Sequence, residues 1–578
     1  MRSSSKQFSR IVILQNKSQA KRYHDKLKQK GDLVYPIGAS SIFFCIDNDL
    51  EFITEKDFID KKNYQEESLE FNLNLKNLIK DLNEYSRQKK PNLDLDIGDY
   101  FSFQLYIILG QISFNEFIIS SLKKKFLEIN ILVFKNKNKS RFLRLRPDPT
   151  SLLAEVLEKS DLFDSENINI ICEKKQYIFY FSTESIKYVL RYIRDAFKLF
   201  NLRNFFSRKN KKIAIIGGAY DWFKLAKNKR VINTLSLSLL RIKNPNPSNG
   251  KDKEILELLK KAYFDKRKPF IDLSFLSHEI KKYLEYFARK TNNLEKVINR
   301  FYCVATGVLT WPEENFLAHI AIKNNKRVIL WQHGERGQSP DPSIEFTEML
   351  YTTDLLTYGS SVDNFYKNWL YKNNLTNIKS IGSLTKQVSW EKNNSKNILY
   401  ATGKWHKNAI PFLNVLDSDI RLVRAHLKIL GYLNNIENWN TIFKTNNTKG
   451  LNEIPYKNKF NKIKFESNIP FTDLLKNSEL VILDTPSTTL IEACSTTIPI
   501  FVLSGRNVYS EEFIEKVSRR VIWCNSLDEL ISKLNNYLKY EQYDSDLFDE
   551  SFVNSYFSKS SENLIAKKII NLIENPNE

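Results

Sequence analysis

The chain has 578 residues, too many for a single hydrophobic core, and this length predicts two or three domains. Its apolar content of 42%, with 13% aromatic residues, is ample for globular folding and excludes a largely disordered chain. The formal net charge of +21 suggests an anionic partner.

The positive charge has three interpretations. The chain is rich in Lys, Asn, Ile, Phe and Tyr, and scattered lysines in such a composition are merely solvated. The second interpretation is attraction to an anionic membrane or a phosphorylated lipid acceptor, since each lysine near such a surface contributes about 1 kcal/mol. The third is nucleic acid. We expect no nucleic-acid partner, because no helix-turn-helix, RRM, KH or zinc-finger pattern accompanies the charge.

The five cysteines are scattered and form no CxxC or Cys/His cluster, which argues against a disulfide framework and structural zinc. The first apolar run, 11–14, is too short for a signal peptide. No later run approaches the roughly 18 to 20 apolar residues that span a bilayer. We therefore expect a cytoplasmic protein, with peripheral contact at the inner membrane face.

The first two hundred residues predict a mixed α/β region with much helix. Short apolar runs at 11–14, 42–46 and 129–134 predict strands. The stretches 69–85 and 101–127 carry apolar residues at helical spacing.

From residue 211 the pattern becomes that of a doubly wound sheet. A buried-type strand at 213–216 stops at a glycine pair. A strand at 303–309, a helix that begins within 310–314 and a strand at 327–331 then form a βαβ unit.

A polar linker at 391–396 precedes a second sheet. Its candidate strands are 398–403, 441–443, 463–465, 480–483 and 498–503. We predict an α/β fold with two Rossmann-like doubly wound domains and a helix-rich N-terminal region. The N-terminal lobe is expected at residues 1–390, with a subdivision near 200, and the C-terminal domain at 391–578.

The strongest chemical feature follows the fourth of these strands. The strand ends at Asp484, and Ser487, Thr488 and Thr489 place hydroxyls where a helix begins. Ligands of open parallel sheets bind beyond the carboxyl ends of strands, and free helix N–H groups suit a phosphate. Glu492, one turn on, can accept from ribose hydroxyls. A plain capped helix explains the same residues, because Thr489-x-x-Glu492 matches a capping box.

The second feature is the loop 331–337, Trp-Gln-His-Gly-Glu-Arg-Gly. His333 can act as a general base on a hydroxyl, because an unperturbed histidine titrates near neutral pH. Arg336 can pair with a phosphate, and the flanking glycines let an acceptor approach the backbone. The alternative is a histidine that bonds a nearby carbonyl and only shapes the loop.

Four further side chains are weaker candidates. Glu313 or Glu314 can serve as a general base, although acids in the first turn of a helix usually complement its dipole. Lys404, directly after the strand that ends at Gly403, can reach a diphosphate. Lys444 also follows a candidate strand, and in a lysine-rich chain both can equally be solvated.

The block 303–505 resembles the GT-B superfamily of nucleotide-dependent glycosyltransferases. Within it, the block is similar to bacterial surface-polysaccharide enzymes of the capsule and CDP-glycerol glycerophosphotransferase-like types. Those families carry a strand that runs into a His-Gly turn, matched here by 332–334. They also carry an apolar strand, an Asp, a Ser/Thr turn and a helix with an acid, matched by 484–492. The resemblance implies that His333 is a base or phosphate contact and that the hydroxyls at 487–489 hold the donor phosphates.

The sequence departs from these families at one motif. They often carry a Lys/Arg-x-His-Pro turn on a central strand of the C-terminal lobe. The nearest equivalents here are 443–446, which lacks the His, and 424–426, Arg-Ala-His, which lacks the Pro. His426 and Arg424 therefore either face the donor or lie on a solvated helix.

The resemblance implies a metal-independent transferase without a cofactor. It would move a sugar from a nucleotide-activated donor, held by the C-terminal domain, to a saccharide or lipid-linked acceptor in surface polysaccharide biosynthesis. Alternatives of the same fold are a glycerol- or ribitol-phosphate transferase and a nucleotide-sugar epimerase. A non-catalytic partner in a polysaccharide assembly complex is the alternative of another class.

Overall fold

Three parallel sheets, each with helices, organise the chain. The computed structural model describes residues 8–126, 129–136, 142–143, 146–147, 149–159, 165–173, 212–216, 222, 225, 233–236, 252–264, 272–332, 334, 343–367, 375–384, 388–391, 395–403, 418–445, 456, 459–504, 508–558 and 560–574. The two Rossmann-like sheets predicted from the sequence are confirmed, and a smaller parallel sheet precedes them.

The first sheet belongs to the N-terminal region. The strands of this region are β1 (Arg10–Leu14), β2 (Asp32–Pro36), β3 (Asn130–Asn136), β4 (Phe142–Leu143), β5 (Arg146–Pro147) and β6 (Ile168–Glu173). Four of them form a parallel sheet in the order β2-β1-β3-β6, and β4 and β5 form a separate antiparallel pair.

The same region is rich in helix, as predicted. Its α-helices are α1 (Lys17–Arg22), α2 (Ala39–Asp47), α3 (Glu55–Phe58), α4 (Lys61–Lys89), α5 (Ile97–Lys125) and α6 (Pro149–Lys159). By length and composition α5 could cross a membrane, but 83% of its most apolar 18-residue window is buried inside the protein. Its packing is therefore that of a core helix.

The prediction of a strand at 42–46 is wrong, because this run lies inside helix α2. The helix is apolar on two sides. Phe43 packs into the core of the C-terminal domain, whereas Phe44 packs into the core of the N-terminal sheet. A short, continuous apolar run cannot be told from a buried helix by its periodicity.

The middle sheet is doubly wound. Its strands are β7 (Lys212–Ile215), β8 (Asn233–Ser236), β9 (Cys303–Thr306), β10 (Arg327–Trp331), β11 (Asp354–Thr357) and β12 (Asn377–Ser380). They are parallel, in the order β8-β7-β9-β10-β11-β12. The α-helices of this part are α7 (Lys253–Phe264), α8 (Ser274–Ile298), α9 (Pro312–Lys323) and α10 (Ser360–Tyr366).

The third sheet has the strand order of dinucleotide-binding domains. Its strands are β13 (Asn397–Ala401), β14 (Asn440–Lys444), β15 (Ile463–Glu466), β16 (Leu480–Leu483), β17 (Ile500–Leu503) and β18 (Ile522–Cys524). They are parallel, in the order β15-β14-β13-β16-β17-β18. Its helices are α11 (Ser418–Asn434), α12 (Phe471–Leu475), α13 (Thr488–Cys494), α14 (Glu511–Ser518) and α15 (Leu527–Tyr540).

The chain returns to the middle sheet at its end. Two last helices, α16 (Ser551–Tyr556) and α17 (Glu562–Glu574), follow the third sheet. The N–H of Ser383 donates to the carbonyl of Ser558 at 2.9 Å, and Arg327 reaches the carbonyl of Leu572. The segment predicted as the C-terminal domain, 391–578, therefore ends in helices that contact the preceding sheet.

Candidate functional site

The candidate site lies where the strand order of the third sheet reverses, between β13 and β16. Gly403 stands just beyond β13, and Asp484 stands just beyond β16. The Oδ1 atom of Asp484 accepts the backbone N–H of Gly403 at 2.9 Å, and the Asp484 residue is only 2% exposed. This carboxylate therefore fastens together the two loops at the switch point, where open α/β sheets bind their ligands.

A buried polar network stands behind Asp484. Its Oδ2 atom accepts the Tyr400 hydroxyl at 2.9 Å and lies 2.9 Å from Nε2 of His426. The other ring nitrogen of His426, Nδ1, lies 3.2 Å from the hydroxyl of Tyr456. His426 is fully buried, so of the two positions considered for it, the solvated helix face is wrong.

The charge of Asp484 is maintained by its partners. Burial by itself raises the pKa of this carboxyl. The hydrogen bond and charge of His426, the N–H of Gly403 and the hydroxyl of Thr402 outweigh burial and bring the pKa below its ordinary value. Because these groups occupy the carboxylate, Asp484 is placed to position the loops that a ligand would contact.

The helix after Asp484 begins at Thr488 and has Ser487 as its N-cap. The Oγ atom of Ser487 accepts the backbone N–H of Thr489 at 3.4 Å. Thr489 is thus inside the helix and is not the N-cap of a capping box. Glu492 follows in the second turn and is partly exposed.

The loop after β10 faces this helix. Gly334 has a φ of +66°, and a Cβ atom added there would lie 3.9 Å from Oγ1 of Thr488. The two turns singled out in the sequence therefore meet across the two sheets. His333, Arg336 and Lys404 lie outside the described residues.

Gln332 fixes the course of the loop after β10. It is 1% exposed, its Oε1 atom accepts the N–H of Tyr358 at 2.8 Å, and its Nε2 atom donates to the carbonyl of Gly334 at 3.0 Å. The side-chain amide of Gln332 therefore connects the ends of β10 and β11. It also holds the backbone of Gly334, which lies beside Thr488.

Lys444 lies next to the switch point. It ends β14 in register with Ala401, and its Nζ atom donates to the carbonyl of Ser467 at 2.7 Å. Burial lowers the pKa of this ammonium, and the nearby carboxylate of Glu466 partly opposes that effect. The side chain is half-buried at the carboxyl edge of the sheet.

The two glutamates predicted as candidate bases lie at the start of α9, in the middle part of the chain. The Oε2 atom of Glu314 accepts the backbone N–H groups of Thr310 at 2.9 Å and Trp311 at 3.1 Å. The Oε1 atom of Glu313 accepts the hydroxyl of Tyr283 at 3.1 Å. Glu314 therefore caps the N-terminus of α9, and Glu313 connects α9 to α8.

The sequence marks His426 as a candidate but does not predict its network with Tyr400 and Tyr456. The burial of His426 could have been predicted from the sequence. This residue shares the helical period of Val423, Leu430 and Leu433 on the apolar side of α11. Within the parts of the chain that the structure describes, no group of three His, Cys, Asp or Glu side chains is placed to hold a metal ion.

Solved structures share a distant similarity with the chain. An S. aureus MnaA–UDP complex is 12% identical over 63% of this chain and 96% of that chain, with a TM-score of 0.37. A UDP-GlcNAc 2-epimerase from Neisseria meningitidis, bound to UDP-GlcNAc, is 14% identical over 63% and 100%, with a TM-score of 0.38. MurG of Acinetobacter baumannii is 11% identical over 63% and 99%, with a TM-score of 0.35.

No curated protein sequence matches the chain. A family profile does match: that of the LIC12162 family transferases covers residues 150–511, more than half of the chain. The matched segment contains both doubly wound sheets up to the start of α14, including the switch point at Asp484. The chain therefore belongs to the LIC12162 family of transferases.

Proposed function

We propose that this transferase moves a sugar from a nucleotide-activated donor to a hydroxyl of a saccharide or lipid-linked acceptor, in the biosynthesis of a bacterial surface polysaccharide. One observation carries the proposal. Asp484 joins the two loops at the switch point, and Thr488, in the helix that follows Asp484, lies within van der Waals reach of the Gly334 turn of the other sheet. A donor on one sheet would thus face an acceptor that approaches from the other.

The donor is assigned to the third sheet. Its diphosphate would lie against Gly403 and the hydroxyls of Ser487, Thr488 and Thr489, where backbone N–H groups and hydroxyls are concentrated. Lys444 and Lys404 would supply positive charge. Glu492, in the next turn of α13, would accept from the ribose hydroxyls.

The acceptor is assigned to the middle sheet, beside the loop of Gln332 and Gly334. In the proposed reaction the acceptor oxygen forms a bond to the anomeric carbon of the sugar. The bond from that carbon to the phosphate oxygen breaks, and the nucleoside diphosphate leaves. His333 takes the proton of the acceptor hydroxyl, and Arg336 and the hydroxyl cluster stabilise the leaving phosphate without a metal ion.

Nucleotide binding is the first test. In a thermal-shift panel of CMP, CDP, UDP, GDP and their sugar conjugates, the nucleotides of one base should raise the melting temperature of the protein. A ligand that binds only the folded state stabilises that state. If no nucleotide shifts the melting temperature, the proposal fails and the chain is better explained as a non-catalytic partner in an assembly complex.

The chemical step is the second test. His333→Ala should abolish turnover and leave nucleotide affinity nearly unchanged, whereas His24→Ala, at a partly exposed histidine of the N-terminal region, should leave both unchanged. Full turnover by His333→Ala would remove this residue from the mechanism. Product analysis with defined donors separates sugar transfer from glycerol- or ribitol-phosphate transfer and from epimerisation.

We also propose a cytoplasmic protein that binds the inner membrane face peripherally, which the net charge of +21 supports. Sedimentation with vesicles of anionic or neutral lipid tests this. Binding to the anionic vesicles alone, weakened by salt, is the expected result. Equal binding to both, or to neither, would contradict it.

A further inference from the structure

Helix α2 of the N-terminal region enters the core of the third sheet. Ile42 and Phe43 belong to the same buried apolar cluster as Tyr400 and Val423. Phe43 is only 6% exposed. This helix lies outside the segment that the family profile matches, which begins at residue 150.

A continuous line of contacts leads from α2 to the switch point. The ring of Phe43 meets the ring of Tyr456 edge to face, with centroids 5.0 Å apart. The Tyr456 hydroxyl lies 3.2 Å from Nδ1 of His426, and Nε2 of His426 lies 2.9 Å from Oδ2 of Asp484. Asp484 in turn holds the N–H of Gly403.

The hydrogen-bond roles in this line follow from chemistry. A carboxylate only accepts, so Nε2 of His426 carries the proton that faces Asp484, and Oγ1 of Thr402 lies 2.7 Å from the same nitrogen. Nδ1 faces the Tyr456 hydroxyl at 3.2 Å, which can donate to a neutral ring or accept from a protonated one. The position of Tyr456 thus favours the orientation of the His426 ring that holds Asp484, and Phe43 packs against the ring of Tyr456.

The contact between α2 and the third sheet is open at one side. Asp47, at the end of α2, pairs with Lys459 at 2.7 Å, and both side chains are about two-fifths exposed. Beside this contact is a groove of about 670 Å³ between the α2 segment and α11. Its walls include Ile46 and Phe52 on one side and Arg424 and Leu427 on the other.

We propose that α2 is a positioning element for the donor site, with Phe43 as its positioning residue, so that loosening α2 weakens nucleotide binding. This inference rests on the proposed function. Phe43 touches neither donor nor acceptor. It acts through Tyr456 and His426 on the Asp484 carboxylate.

The test compares two neighbouring phenylalanines of α2. Phe43→Ala removes the ring against Tyr456, whereas Phe44→Ala removes a ring of the same size from the core of the N-terminal sheet. Calorimetry with UDP, CDP and GDP, at a temperature where both variants are folded, should show about tenfold weaker binding for Phe43→Ala only. Phe43→Leu, which retains apolar contact, should restore part of the affinity.

A second readout is independent of nucleotide. Nitrogen NMR of labelled histidines, with His426→Gln used to assign the signal, reports the protonation and hydrogen bonding of the two ring nitrogens of His426. The signal should change in Phe43→Ala and stay in place in Phe44→Ala. If Phe43→Ala does not fold, nucleotide affinity and the His426 signal are both measured on Phe43→Leu.

The possible failures are distinguishable. If the unaltered protein binds none of the three diphosphates, the proposed function fails, and the histidine signal still decides whether α2 holds His426. Equal affinities of the two alanine variants, or an unchanged His426 signal in Phe43→Ala, would overturn the role of α2.

Discussion

His426 and Asp484 are 58 residues apart in the chain, and their side chains meet at 2.9 Å in a fully buried position. Removing one partner of a buried pair leaves the other without compensation, so each depends strongly on the other. The pair joins α11 to the end of β16, and through Gly403 it also joins the end of β13. Three separate segments therefore converge on one carboxylate.

Asp484→Asn is expected to weaken both the fold and the site. Only one of the two polar atoms of the asparagine amide can accept a hydrogen bond. The other, the NH₂ group, would face a donor, either the N–H of Gly403 or the hydroxyl of Tyr400. A loss of about 2–4 kcal/mol in the free energy of unfolding follows from the unsatisfied buried groups. Urea denaturation measures it, with Asp473→Asn, at an exposed aspartate, as the control that stays near the original stability.

The Asp484 carboxylate should also make the stability of the protein depend on pH in the acidic range. The pKa of Asp484 is lower in the folded protein than its ordinary value of about 3.9 in the unfolded chain. Its contribution to stability is therefore complete above about pH 4 and is lost as the pH falls through the lower, folded value. Below pH 4 the stability of Asp484→Asn should fall less steeply than that of the unaltered protein. Parallel curves would contradict this.

Asp99, near the start of α5, should have the opposite effect. Burial raises the pKa of its carboxyl to about 6. The folded protein then binds a proton more readily than the unfolded chain, so stability should rise as the pH falls from about 7 to about 4. Asp99→Asn should therefore be more stable at pH 8, by at most about 3 kcal/mol at about 1.4 kcal/mol per pKa unit. Asp94→Asn, in an exposed position nearby, is the control.

A comparison of two N-cap serines next to the third sheet distinguishes an effect on helix stability from an effect on nucleotide binding. Ser487 caps α13 and Ser526 caps α15, each accepting a backbone N–H from its helix. Alanine at either should cost about 0.5–2 kcal/mol in the free energy of unfolding. Only Ser487→Ala should also weaken nucleotide binding in calorimetry. If Ser526→Ala weakens it equally, the loss reflects stability alone.

Gly334→Ala should impair the cleft between the two sheets. Its positive φ costs an alanine about 1–2 kcal/mol, and the new methyl group would stand 3.9 Å from Oγ1 of Thr488. Gly31→Ala imposes a comparable backbone strain, since Gly31 has a φ of +89°, but in the N-terminal region. Both should be destabilised, and only Gly334→Ala should lose turnover. Unchanged turnover in Gly334→Ala would argue against a reaction at this turn.

Much of the fold follows from sequence pattern. The buried strands of the two doubly wound sheets are near-continuous apolar runs with turn residues at their ends, and parallel strands covered on both faces require such runs. The same pattern places Asp484 and the loop of His333 at the carboxyl ends of strands. It predicts where ligand-binding loops occur, because that depends on chain direction alone.

The switch point from Asp484 to Thr489 was visible in the sequence as a turn, but what holds it was decided by tertiary structure. His426, Tyr456 and α2 come from separate segments, and no local pattern records which surfaces they meet. The run at 42–46 is a helix that is buried against two domains at once. Burial on two sides removes the periodic signal that would distinguish helix from strand, so only the packed structure could specify it.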